Sequence, residues 1–145
     1  MANTQAQEVY NAFEATFSDK KEIPESLELQ WLKMSVGRYN AEIAIDEPLN
    51  FDEELLEFDK QVDQYIISTL GQMIRELYQE REFSRVTKIA SIVGGDLSVN
   101  GTNGLQKYSK EELDYHTSKT NDMIENQKPT ALSEGVLFYE RMVSY

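Results

Sequence analysis

The chain has no cysteine and a single histidine in 145 residues. Without thiols there are no disulfides, no thiolate nucleophile and no cysteine-based zinc site. A cysteine-free chain is compatible with a reducing compartment. Long apolar runs are also missing: no stretch approaches the ~18 consecutive apolar residues that span a bilayer. The opening Met-Ala-Asn-Thr-Gln-Ala-Gln-Glu carries no basic region and no apolar run, so no signal peptide is expected. These absences read as a soluble, non-secreted protein. Positive charge is scarce. Fourteen Lys and Arg face 26 Asp and Glu, a net charge of −12. Such a surface repels phosphates and anionic lipid, so neither a membrane nor sequence-specific nucleic acid is an expected partner. Copies of so acidic a chain crowd together only where a neighbour supplies positive charge.

What remains is ordinary for a globular domain: 40% apolar and 28% charged residues, in a length that fits one core. Residues 4–17 place Val9, Phe13 and Phe17 four apart, one apolar helical face with Thr4 as a possible N-cap. Ser18–Ile23 is a polar break. Pro24 suits a first helical turn, and Leu27, Trp31, Leu32, Val36, Tyr39 and Ile43 then recur near every 3.6 residues through residue 44. Gly37 interrupts this helix, and close packing against another helix is preferred to a kink. Asn50 or Asp52 can cap a third, long helix from Phe51 to about Arg81, faced by Leu55, Val62, Ile66, Leu70, Met73 and Leu77. At ~1.5 Å per residue that is a rod on the order of 45 Å, part of whose face is free to meet another subunit.

Residues 83–93 suit either a continuing helix or a strand. An end to the rod near Arg81–Ser84, followed by extended chain, is the preferred reading. Gly94-Gly95, Asn100-Gly101 and Asn103-Gly104 mark turns, between which Leu97–Val99 can pair with Leu105–Lys107 as a hairpin. Ser109–Glu112 has a capping-box pattern opening a polar, peripheral helix over about 110–127. The C-terminal stretch is unexpectedly apolar. Val136, Leu137, Phe138, Tyr139, Met142, Val143 and Tyr145 either fold back on the core or dock on a neighbour. The predicted fold class is therefore mainly α: a small bundle on one long helix, a Gly/Asn-rich β-hairpin or arm, and an extended C-terminal tail. The predicted divisions are a helical domain at 1–93, the arm at 94–108, the peripheral helix at 109–128 and a docking tail at 129–145.

No catalytic constellation stands out. His116 lies in Asp-Tyr-His-Thr on the polar helix and reads as a surface histidine without a role. No Gly-x-Ser-x-Gly elbow accompanies it. Glu47, Asp52, Glu53, Glu54, Glu57 and Asp59 crowd one region without a calcium-loop pattern, and read as a solvated acidic face or a dock for a basic partner. Gly94-Gly95-Asp96 lacks the phosphate-loop spacings and reads as a turn. No metal, cofactor or catalytic residue is expected. Arg75, Arg81, Arg85 and Lys88 interleave with Glu76, Glu80 and Glu82, so intrahelical pairs are the simplest account. The functional alternative sets Arg75, Arg81, Arg85 and Lys88 of one copy against the acidic 46–59 region of the next, Arg81 and Arg85 against Glu53 and Glu57 in particular, in a head-to-tail contact that can close into a ring.

The helix PESLELQWLKMSVGRYNAEIA, the rod LLEFDKQVDQYIISTLGQMIRELY and the arm IVGGDLSVNGTNGLQKY follow one another over about residues 24–108. This order resembles the head–tail connector (adaptor, or neck) proteins of tailed bacteriophages. The resemblance implies a structural virion protein, not an enzyme, that assembles in the host cytoplasm into a homo-oligomeric ring. Its partners would be identical subunits, the portal protein and a tail or tail-completion protein. The partner-binding residues expected on this view are Leu97, Val99, Leu105 and the apolar residues of the tail. The alternative is a small acidic regulatory protein that binds a basic partner protein.

Overall fold

The computed structural model describes residues 2–19, 22–93 and 99–128. Helix α1 (Ala6–Glu14) buries Val9 and Phe13, as their spacing led one to expect, together with Ala6 and Tyr10, while Phe17 lies past its end and is half-buried. It opens at Gln5, whose N–H is accepted by the Glu8 carboxylate at 2.8 Å. Thr4 is not the cap. It is buried, and its hydroxyl accepts the Val62 N–H at 2.7 Å, which ties the start of α1 to the segment before the long helix. Helix α2 (Glu25–Glu42) follows Pro24 and buries Trp31, Leu32, Val36 and Tyr39.

The third helix does not begin at Phe51. Residues 51–58 form a small antiparallel hairpin, β1 (Phe51–Asp52) with β2 (Glu57–Phe58), in which Phe51 faces Phe58. The Asp52 carboxylate accepts the N–H groups of Glu54 and Leu55 at 2.9 and 3.1 Å. That bonding could cap a helix, but here it closes a turn, the local competition that makes Asp a weak helix former. Leu56 completes the reversal at φ 53°. Phe58 is driven fully inside, its ring 5.1 Å from Phe51, while Leu55 is exposed at the tip. Burying Phe58 fixes which way the hairpin faces.

Helix α3 (Gln64–Val93) starts where the Asp63 carbonyl accepts the N–H groups of Ile66 and Ile67. It runs without a break through residues 83–93, so the extended segment expected after Arg81 is a further three turns of helix. Helix α4 (Val99–Gln127) likewise runs through both Asn-Gly pairs. The expected pairing of Val99 with Leu105 therefore does not form, because both lie in one helix; Leu97 lies outside the described residues. Nor does Ser109 open a helix: it is buried in the interior of α4. Each glycine in a helix interior costs about 1 kcal/mol. The burial of Val86 on α3 and of Ser109, His116, Thr120 and Ile124 on α4 offsets it. The spacing of the α4 set, seven, four and four, is one helical face laid on α3, so α4 is a structural wall and not a peripheral helix.

The four described helices run up-down-up-down. Thr4 meets Val62 and Phe17 meets Tyr78, so α1 runs with α3. Arg38 meets Glu76 and Trp31 meets Tyr78, so α2 runs against it, as does α4, where Gln72 meets His116 and Thr69 meets Gln127. The core is one cluster that includes Val9, Phe13, Leu32, Phe58, Leu70, Met73 and Ile74. Gly71 sits where α3 crosses α1. A Cβ there would lie 2.9 Å from the Phe13 nitrogen and from the Ala12 Cβ, so only glycine permits this approach. Gly37, by contrast, faces open space. The close contact expected at Gly37 is found at Gly71.

Candidate functional site

The short length of α1 creates the principal cleft. The helix ends at Glu14, and the Thr16 hydroxyl donates to the Phe13 carbonyl at 2.6 Å as the chain turns away. Helices α3 and α4 continue beyond that level. The uncovered groove between them is a cleft of about 700 Å³, with Thr16, Phe17 and Asp19 at one side, Arg75, Tyr78 and Arg85 from α3, and Tyr108, Glu112 and Lys119 from α4.

Arg75 is the main polar group of this cleft, and it is only 8% exposed. Its Nε donates to Gln79 Oε1 at 2.9 Å, and Nη1 donates to the Thr16 carbonyl and hydroxyl, both at 3.1 Å. Its guanidinium carbon lies 3.7 Å from the centre of the Phe17 ring. The arrangement places a cation at the C-terminal end of α1, whose last turn has no basic residue of its own. Burial lowers the guanidinium pKa, and the nearby Glu112 partly opposes this. Among the described residues Arg75 makes no ion pair and Nη2 no hydrogen bond. At 8% exposure it lies inside the cleft, and not on the outer surface where the intersubunit pairing suggested by the sequence would form. A buried, tightly packed arginine carries no sequence signature that separates it from its exposed neighbours Arg81 and Arg85.

His116 borders the same cleft and is 5% exposed, not a surface histidine. The Gln72 amide donates to its Nδ1 at 3.1 Å, which leaves the ring proton on Nε2, 3.7 Å from a Glu112 oxygen. Thr120 donates to the His116 carbonyl at 2.8 Å. Burial, followed by the charges of Arg75 and Lys119, lowers the imidazole pKa from 6.5 to about 4. The ring is thus neutral at pH 7. Ser109 lines the cleft too, but seven residues along α4 put it about 10 Å away along the axis, too far to share a proton with His116.

A second cleft, of about 640 Å³, lies at the other end of α4 beside Tyr39, Asp46, Glu47, Lys60, Tyr65 and Gln127. Among the described residues no group of three or more His, Asp or Glu side chains could hold a metal ion. No protein family, no curated protein and no solved structure matches this chain.

The other sequence-derived residues fall in separate places. Glu53 pairs with Lys33 at 3.0 Å, and Glu57 accepts from the Gln5 amide at 2.8 Å. Arg85 pairs with Glu82 at 2.6 Å and stays exposed, while Arg81 lies 6.0 Å from the Trp31 ring. Within the described chain no ion pair joins Glu53 or Glu57 to Arg81 or Arg85. Leu105 is 51% and Tyr108 61% exposed, and Ile89 of α3 is exposed as well. The tail residues Val136, Leu137, Phe138, Tyr139, Met142, Val143 and Tyr145 lie outside the described residues.

One buried acid lies apart from the sequence-derived candidates. Glu28, on the face of α2 toward α1, is 4% exposed, and among the described residues its Oε2 has no hydrogen-bond partner. Burial, with Glu14 and Glu25 adding to it, raises its carboxyl pKa to about 7. Its position inside an otherwise apolar stripe was the only available hint.

Proposed function

We propose that this chain is a structural assembly protein, a subunit of a head–tail connector ring that bridges portal and tail in a tailed bacteriophage, and that it works by protein–protein contact and not by chemistry. The observation that carries the reading is the exposed end of the α3–α4 pair. Beyond Val86 and before Ser109 the two helices have outrun α1 and α2, and Ile89, Leu105 and Tyr108 stand in solvent there. Two packed helices that run on past a rigid bundle and expose apolar side chains there suit a docking arm, and larger exposed apolar patches mark interaction surfaces. The order of elements that resembles connector proteins supports the same reading. In this role the arm is helical, and its contact residues are Ile89, Leu105 and Tyr108 together with the apolar tail.

Sedimentation velocity tests the reading. The full chain, alone or with its partner, should give a mass of several subunits. Leu105→Glu with Tyr108→Glu should reduce it, as should removal of residues 132–145. A strict monomer under every condition, unchanged by these variants, would refute ring assembly. A second reading, an acidic regulator of a basic protein, draws on the Glu28, Glu14 and Glu25 group: a basic side chain brought beside it would relieve the mutual repulsion. That reading requires a monomer whose complex with a basic partner weakens with salt.

A further inference from the structure

An arginine sequestered from water normally has a carboxylate partner, because an uncompensated buried charge is strongly unfavourable. Among the described residues Arg75 has only neutral acceptors. The end of α1 offsets roughly half an elementary charge. The remainder faces the cleft through Nη2, which makes no hydrogen bond to the described residues. Stacking on Phe17 and the bonds to Gln79 and Thr16 hold the guanidinium plane in place, so its free edge is already oriented. The rim sets the ligand charge. Arg85 is neutralised by Glu82. Arg75 and Lys119 are then balanced by Asp19 and Glu112, so the rim as a whole is neutral and a single added negative charge is opposed less than a dianion such as a phosphate monoester. The walls beyond the guanidinium are the Tyr78, Tyr108 and Tyr115 rings, the last two well exposed.

We propose that this cleft binds a singly charged carboxylate with an aromatic or apolar body, its oxygens on Arg75 Nη2 and the Lys119 ammonium and its body against the tyrosine rings. The site lies within one chain and stands independently of ring assembly.

The test is titration of the full-length protein with sodium benzoate at constant ionic strength and pH 7, read by NMR at the ring of the single histidine, which borders the cleft. Saturable shifts with a dissociation constant on the order of millimolar are expected for so small a ligand. Benzamide, the neutral counterpart, should bind at least tenfold more weakly. Arg75→Gln should abolish the shifts. Because Arg75 also caps α1, the exposed Lys119→Glu serves as a second variant, and it should weaken binding about fivefold, the size of one surface charge pair. Absence of saturable shifts both in the full chain and in a chain lacking residues 132–145, equal binding of benzamide, or unchanged affinity in Lys119→Glu would overturn the proposal. A synthetic 132–145 peptide, in which Glu140 follows Phe138 and Tyr139, separates the two sources of such a carboxylate. Displacement of benzoate by the peptide assigns the natural ligand to the chain's own tail. Benzoate binding that the peptide leaves untouched assigns it to a free acid.

Discussion

Two glycine-to-alanine substitutions should move stability in opposite directions, and the comparison tests how α1 docks. Both glycines lie inside helices, so alanine contributes the same helical gain at each, about 1 kcal/mol at most. At Gly37 the new methyl meets nothing within 4 Å. Gly37→Ala should therefore stabilise by about 0.5–1 kcal/mol. At Gly71 the methyl would stand 2.9 Å from the Phe13 nitrogen and 3.0 Å from the Ala12 carbonyl carbon. Those are backbone atoms, so no side-chain rotation relieves the clash and α1 must move. Overpacking of this kind costs about 1–3 kcal/mol, and contact with backbone puts Gly71 near the top of that range. After the helical gain, Gly71→Ala should lose about 2 kcal/mol. For a chain of this size each kcal/mol is worth about 2–4 °C, so the Gly71 variant should melt roughly 4–8 °C lower and the Gly37 variant about 1–4 °C higher. Urea unfolding monitored by circular dichroism measures both, and an unchanged m-value keeps the comparison two-state. A Gly71→Ala protein as stable as Gly37→Ala would mean that α1 does not lie against α3 at Phe13, and the account of the cleft above it would fail as well.

Glu28 and His116 should bend the pH dependence of stability in opposite senses. The Glu28 carboxyl, raised from 4.5 to about 7, contributes stability that is complete below pH 4.5 and is lost as pH rises through about 7. The His116 ring, lowered from 6.5 to about 4, contributes stability that is complete above pH 6.5 and is lost as pH falls through about 4. Glu28→Gln should flatten the loss on the alkaline side and His116→Phe the loss on the acid side; urea midpoints that keep the wild-type slope in either variant would refute that assignment. His116→Phe should also remove the shortest acceptor of the Gln72 amide, leaving the longer contacts to the His116 carbonyl at 3.4 Å and the Thr120 hydroxyl at 3.5 Å, and cost about 0.5–1.5 kcal/mol, part of which Gln72→Leu should restore in the double variant, as a double-mutant cycle in urea would record. Leu56, a branched residue at φ 53°, is strained by about 1 kcal/mol relative to an asparagine there. Leu56→Asn should therefore raise the melting temperature slightly while Leu55→Asn leaves it unchanged, and equal effects would argue against the turn.

Helical periodicity in the sequence was sufficient for α1 and α2, and for the buried positions Val9, Phe13, Trp31, Leu32, Val36, Tyr39, Leu70 and Met73. A repeat near 3.6 residues is a local property, and it survives because those helices bury the stripe it defines. It also sufficed for the class, a small bundle built on one long helix. The boundaries of that long helix were decided elsewhere. Asp52 can cap a helix or close a turn with the same bonds, and the burial of Phe58 selects the turn. Residues 83–93 and 99–108 suit strand and turn by their own preferences, yet both are helical because α3 and α4 pack along each other. The cleft was invisible for the same reason. It exists because α1 ends at Glu14 while α3 and α4 run on beyond that level, and Arg75 differs from Arg81 and Arg85 only in what surrounds it. Which polar side chains are buried, and so which have their charge perturbed, depends on contacts between residues dozens of positions apart, and only the tertiary structure brings those together.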